Sequence, residues 1–200
     1  MDLESMAEQL EATGKFIDLD FFSRELILEI RADLERIQAE GTFVRAGTGQ
    51  SGQGKGREVR DQVRRDEIHW LEDAIANPIQ KILLGKIEDL KNTLNRTLYL
   101  GLSEFEGHYA AYPSGGFYKR HLDCFKEDDA RIISLILYLN PDWKSSDGGR
   151  LRIYDLDSTH VDVDPVAGTL VGFLSREHEH EVLISHADRY GFAGWFKTQR

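Results

Sequence analysis

Apolar residues recur at helical spacing in the first half of the chain and at the alternating spacing of strands in the second. After Ser23, the positions Leu26, Ile27, Ile30, Leu34 and Ile37 form one helical stripe that should end at Gly41. A second helix is expected to open with Asn77 as its cap and Pro78 at the first helical position, turning Ile79, Ile82, Leu83, Leu90 and Leu94 inward. Short β-rich runs between turn signals then follow at 97–102, 107–112, 132–140, 150–154, 160–163, 169–174, 181–184 and 190–196. This pattern predicts a mainly β chain with supporting helices: residues 97–200 as a double-stranded β-helix, a cupin-like jelly roll open at one end, braced by helices within 1–96.

Composition narrows the class. At 200 residues the chain suits a single domain with one well-buried core. No stretch approaches the roughly 20 apolar residues of a membrane span, and the opening Met1-Asp2-Leu3-Glu4 lacks signal-peptide character, so a cytoplasmic protein with no membrane partner is expected. The lone Cys124 excludes an internal disulfide framework and a Cys-based zinc site; beside Asp123 it reads as a packing residue that could confer sensitivity to oxidation. A formal charge of -10 argues against a nucleic-acid partner. The stretch 55–65 reverses that sign locally, with Lys55, Arg57, Arg60, Arg64 and Arg65 against Glu58 and Asp61, but alone it reads as a solvated hinge.

The glycine-dense segment 47–56 contains Gly49-x-x-x-x-Gly54-Lys55, close to a phosphate-binding loop. Gly56 stands where a magnesium-binding Ser or Thr is required, and Arg57-Glu58-Val59-Arg60-Asp61 lacks the apolar face of a buried helix, so a flexible loop is the expectation.

Three His-x-Asp pairs occur, His121/Asp123, His160/Asp162 and His186/Asp188, and context separates them. No histidine follows Asp188, and His160 lies in a half-exposed alternating run without a basic anchor at a suitable distance. His121 follows the turn Pro113-Ser114-Gly115-Gly116 and precedes a strongly apolar strand; His180 and then Arg189 come later. In a strand, alternate side chains share a face, so His121 and Asp123 can point at one ion. Two imidazoles and one carboxylate leave coordination positions open, which suits non-haem Fe(II) with a co-substrate and dioxygen.

Arg189 lies in an apolar strand where a charge needs a partner, and its planar fork suits a carboxylate; an internal ion pair is the alternative. Tyr138 could add a hydroxyl donor or be an ordinary core tyrosine. Trp195, an even six positions beyond Arg189, shares its face and could wall a pocket or fill the core. Arg131 alone reads as solvated.

From Ala111 onward the chain resembles the prolyl 4-hydroxylase group of 2-oxoglutarate/Fe(II) dioxygenases, in particular the hypoxia-sensing prolyl hydroxylases of animals and their bacterial relatives. The matching pieces, in order, are Ala111-Tyr112-Pro113, Tyr118-x-Arg120-His121-x-Asp123, Tyr138-Leu139-Asn140-x-Asp142-Trp143, Gly148-Gly149-x-Leu151-Arg152-Ile153, His180-Glu181-Val182 and Arg189-Tyr190-x-x-x-x-Trp195, with a weaker match at Arg65-Asp66-x-Ile68-x-Trp70. They cover roughly the C-terminal half.

The resemblance implies that His121, Asp123 and His180 ligate iron. His180 is favoured over His178 because it begins the His-Glu-Val block, nine residues before Arg189. It also implies that Arg189 and Tyr138 hold the distal carboxylate of 2-oxoglutarate, with Trp195 beside the co-substrate, and that Arg131, Tyr118 and Tyr112 face the peptide. Residues 47–56 become a finger that closes over substrate. The implied reaction consumes O2 and 2-oxoglutarate, with ascorbate as a supporting reductant, releases succinate and CO2, and hydroxylates a prolyl residue in a protein loop; a translation factor is the expected target by analogy with bacterial members. Two rivals remain, a related dioxygenase acting on a free amino acid or small metabolite and a non-catalytic jelly-roll binding module.

Overall fold

The structure, a computed structural model, describes residues 1–47, 60–124 and 130–199. The expected finger at 47–56 therefore lies almost wholly outside the described residues. In chain order the elements are α1 (Leu3–Thr13), β1 (Lys15–Asp18), α2 (Arg24–Ala39), β2 (Val44–Arg45), β3 (Glu67–Leu71), α3 (Pro78–Leu98), β4 (Leu102–Tyr112), β5 (Tyr118–His121), β6 (Arg131–Tyr138), β7 (Leu151–Tyr154), β8 (His160–Val163), β9 (Leu170–Leu174), β10 (His180–Val182) and β11 (Arg189–Thr198). The strands form two antiparallel sheets, ordered β1-β9-β6-β11-β4-β3-β2 and β5-β10-β7-β8. This is the expected mainly β jelly roll with helical support.

Period-two patterning on β6 explains the layering. Ile133, Leu135 and Leu137 join the core shared with the three helices, while Ser134, Ile136 and Tyr138 point to the smaller sheet. β11 repeats the division, with Phe192 and Phe196 toward the helices and Arg189, Gly191, Ala193 and Trp195 lining the interior between the sheets. The site therefore occupies the side of the large sheet that the helices do not cover.

Both expected helices are present. Ser23 caps α2 by accepting from the Leu26 N–H, and Asn77 with Gln80 forms a reciprocal box at the start of α3, with Pro78 inside the first turn. Two expectations change. Residues 97 and 98 continue α3 rather than starting a strand, because the helix stops only at left-handed Tyr99, φ 55°. Ile82 is exposed, and Ile87 joins Leu83, Leu90 and Leu94 instead, one turn apart along the buried stripe. Not anticipated were α1, β1, β2 and β3, and the strand expected to carry His121 and Asp123 ends at His121.

α1 carries Met6, Ala7 and Leu10 on its buried face and ends at Gly14, φ 72°. A Cβ there would stand 2.5 Å from His178 Nε2, so glycine is required both for the turn and for docking against the β9–β10 connection.

Asp33 joins three elements. Its buried carboxylate accepts from Asn77 Nδ2 at 2.7 Å, Gln80 Nε2 at 2.9 Å, Tyr109 Oη at 3.0 Å and Arg36 Nη2 at 2.8 Å, tying α2 to the cap of α3 and to β4. Burial opposes its charge, but these donors outweigh it and hold the carboxyl below its ordinary range. Such stability is present above the usual carboxylate pKa and lost as pH falls through the lowered one. Asp33→Ala strands buried donors and should cost about 2–4 kcal/mol in urea unfolding; a loss within the scatter of surface substitutions would show that the hub is not needed.

Candidate metal and co-substrate site

β5 and β10 pair so that His121 faces His180 across the strands, with ring centroids 4.2 Å apart. Asp123 joins them differently from the expected alternation. β5 ends at His121, and the chain bends at Asp123, whose carboxylate points inward. Candidate ligand atoms of His121, Asp123 and His180 all lie within 4.8 Å of one another. Asp123 Oδ1 is 3.4 Å from His121 Nε2, and Oδ2 is 3.5 Å from His180 Nε2.

Local backbone sets the imidazole orientation. His121 Nδ1 lies 2.7 Å from Lys119 O, and His180 Nδ1 lies 3.3 Å from His178 O. A carbonyl only accepts, so Nδ1 carries the hydrogen in each ring and the Nε2 lone pair faces the cluster. Burial, aided by His121, pushes the His180 imidazole down to about 4 against the pull of Asp123, leaving it in the neutral form a metal needs. Burial also opposes the Asp123 charge, but His180, His121 and the Trp195 N–H outweigh it and keep the carboxyl well below its usual range.

The other end of the site is built on β11 and β6. Arg189 is 3% exposed and Tyr138 0%. The guanidinium carbon lies 4.9 Å from the Tyr112 ring centroid and 5.0 Å from that of Tyr138. Among the described residues, Arg189 Nε and the Tyr138 hydroxyl have no hydrogen-bond partner and no carboxylate pairs with Arg189. Burial raises the Tyr138 hydroxyl to about 12, with Arg189 pulling the other way, so the hydroxyl remains a donor. An unpaired buried cation is costly, and a bound anion would satisfy it. The internal ion pair considered for Arg189 is absent among the described residues.

Two local devices hold this end. Asn140 accepts from the Tyr190 N–H at 2.8 Å and donates to Tyr190 O at 2.9 Å and Pro165 O at 2.8 Å, stapling the end of β6 to the start of β11. Gly149, φ 61°, passes so close that a Cβ would stand 3.1 Å from Arg189 Cδ.

A cavity of about 330 Å³ connects the two ends, lined by His121, Asp123, His180, Arg189, Tyr112 and Trp195 among others. Tyr138 lies against Arg189 just outside that lining. Trp195 donates its indole N–H to Asp123 Oδ2 at 2.8 Å, so it holds the carboxylate as well as walling the cavity. Arg131 lies 3.6 Å over the Trp195 ring and is tied to Glu106 Oε1 at 2.9 and 2.8 Å. The cation expected to face the peptide is therefore neutralised within the protein, although its side chain lines the cavity. Tyr118 stacks on His121 at 3.6 Å and receives the Arg64 guanidinium at 4.3 Å; burial lifts its hydroxyl to about 12.

Arg64 is the correction to the solvated-hinge reading. Its side chain is 13% exposed and grips Asp66 through two nitrogens, 2.7 and 2.5 Å. The remaining candidates stand apart: His178 Nδ1 turns to Tyr154 O at 3.0 Å, Asp162 is held by Arg152 at 2.7 Å, and Asp188 accepts from the Ser114 N–H at 2.9 Å. Sequence reasoning missed Ser134, whose hydroxyl also reaches Asp123 Oδ2, and it missed Arg64 and Glu106. A hydroxyl inside an otherwise apolar strand was the available signal for Ser134.

Residues 107–197 match the 2OG-Fe(II) oxygenase superfamily. Egl nine homolog 1 of Homo sapiens is 30% identical over 201 residues, covering 97% of this chain and 46% of the human protein. The Rattus norvegicus homologue is also 30% identical, with 58% of its length covered, so the chain spans about half the length of the curated relatives it matches. A crystal structure of a Pseudomonas putida prolyl-4-hydroxylase superposes with TM-score 0.89 at 36% identity, covering 100% of both chains. A Trichoplax adhaerens prolyl hydroxylase, solved with a hypoxia inducible factor oxygen degradation domain peptide fragment, superposes with TM-score 0.86 at 29% identity over 98% of this chain and 89% of that one. With full-length correspondence to a bacterial prolyl-4-hydroxylase added to this geometry, the chain belongs to the prolyl hydroxylase group of the 2OG-Fe(II) oxygenase superfamily.

Proposed function

We propose that this chain hydroxylates a prolyl residue of a protein substrate, using Fe(II), 2-oxoglutarate and O2. The observation that carries the reading is one cavity with two unlike ends, a two-histidine, one-carboxylate cluster and a buried cation that no carboxylate among the described residues pairs. A dicarboxylic 2-oxo acid fits both at once, its oxo-acid end at a metal and its far carboxylate on Arg189. His121, Asp123 and His180 would hold the iron.

Iron with 2-oxoglutarate and O2 bound supplies the oxidation of an unactivated C–H bond, with release of succinate and CO2. The protein's own residues bind and orient. The two Nε2 lone pairs and the Asp123 carboxylate present a preset face, and Arg189 with the Tyr138 hydroxyl fixes the far carboxylate. Trp195 restrains Asp123, and Arg131, held by Glu106, covers the Trp195 ring at the cavity wall.

Prolyl substrate is supported by the Pseudomonas and Trichoplax relatives, the latter solved with a peptide fragment. The finer assignment, a loop of a translation factor, rests on analogy with bacterial members. Incubation with 2-oxoglutarate and O2 should form succinate in excess only when a proline peptide is added, with the peptide gaining one oxygen atom. Full turnover with free amino acids and none with peptide would move the reading to a small-metabolite dioxygenase.

A further inference from the structure

Ser134 interrupts the apolar run of β6, facing the site rather than the helices, and is 1% exposed. Its hydroxyl lies 2.8 Å from Asp123 Oδ2 and 2.9 Å from Ser175 Oγ, and Ser175 is 0% exposed. Proton counting fixes the direction of this chain. An ionised carboxylate only accepts, so Ser134 spends its single hydrogen on Asp123 and its oxygen must accept from Ser175. The Ser175 N–H is itself anchored on Ile132 O at 3.0 Å, which sets Ser175 against the strand carrying Ser134.

Oδ2 thus receives two donors, Ser134 and the Trp195 indole, which occupies both of its lone pairs. Oδ1, turned toward His121 Nε2, is the oxygen left for a cation. Because β5 ends before Asp123, the regular strand backbone does not set the angle of this carboxylate. We propose that Ser134, fed by Ser175, is a positioning residue that presents Asp123 to the metal through Oδ1 alone, keeping the remaining coordination positions open for co-substrate and dioxygen. The proposal rests on the metal reading above.

Mn(II) serves as a redox-silent probe, titrated into the full chain and followed by electron paramagnetic resonance. Ser134→Ala should weaken Mn(II) affinity by about 10–100-fold, the range for partners that orient a ligand. Ser134→Thr, which keeps the hydroxyl, should restore it. Ser175→Ala should cause a smaller loss in the same direction, and it carries the test alone if Ser134→Ala does not fold. The ligand-field absorption of Co(II)-loaded protein should shift in Ser134→Ala and return in Ser134→Thr. A merely structural serine would lower the melting temperature of the metal-free protein and leave Mn(II) affinity and the Co(II) spectrum alone; that result overturns the proposal. Absence of Mn(II) binding by the wild-type chain would instead sink the metal reading itself, and the relay with it.

Discussion

His180→Ala should abolish 2-oxoglutarate turnover and stoichiometric Fe(II) binding, and His178→Ala should preserve both. The two histidines are two positions apart but face different surroundings. His180 stands opposite His121 across the β5–β10 pair, with its Nε2 on Asp123, whereas His178 precedes the strand and turns Nδ1 to Tyr154 O. Removing one of three ligands from a cluster whose geometry is preset should exceed the 10–100-fold loss attached to outer partners, about the point at which metal is no longer retained on desalting. His178→Ala should lower thermal stability, because a buried ring packed against Gly14 is lost. Iron content and succinate formation, measured on both variants, decide the matter. Retention of iron and activity in His180→Ala, with loss in His178→Ala, would exchange the two assignments.

The second large effect is expected at Arg189. Arg189→Leu removes the buried guanidinium that lies against Tyr112 and Tyr138 and should weaken 2-oxoglutarate binding by roughly 1.5–3 kcal/mol, about ten- to a hundredfold. Arg189→Lys should recover part of this, since charge remains while the planar fork is lost. Gly149 leaves room for the Arg189 stem, since a Cβ there would stand 3.1 Å from Arg189 Cδ. Fe(II) affinity should hold in both variants, because the cluster at the other end draws on different strands. Equilibrium binding of 2-oxoglutarate under anaerobic conditions is the measurement. Unchanged affinity in Arg189→Leu would show that another group anchors the carboxylate.

Local chemistry was legible in the chain itself. Ser23, Asn77 and Pro78 announced helix starts because capping is satisfied within one turn, and the apolar alternation at 132–140 announced β6 because period two needs only neighbours. The His121/Asp123 pair was visible for the same reason, although the strand that was to carry it ends at His121. α1 carries its stripe of Met6, Ala7 and Leu10 among acidic and polar residues, so its apolar face is short.

Some assignments depend on partners distant in sequence. Asp33 has no signal of its own in the sequence, and Asn77, Gln80 and Tyr109 converge on it only in the fold. Arg64 reads as part of a basic hinge until Asp66 and Tyr118 enclose it. Arg131 alone reads as solvated until Glu106 neutralises it from β4, across the intervening β11.

By itself, then, the sequence determined the helix starts, the β-rich half and the residue types able to hold a metal and a carboxylate, because capping, alternation and ligand chemistry act within a few residues. Only the tertiary structure decided which histidine completes the cluster, that Arg189 is buried with no paired carboxylate among the described residues, and that Ser134 and Trp195 share one oxygen of Asp123. Those outcomes depend on cross-strand register and on burial, and both are set by packing between segments far apart in the chain.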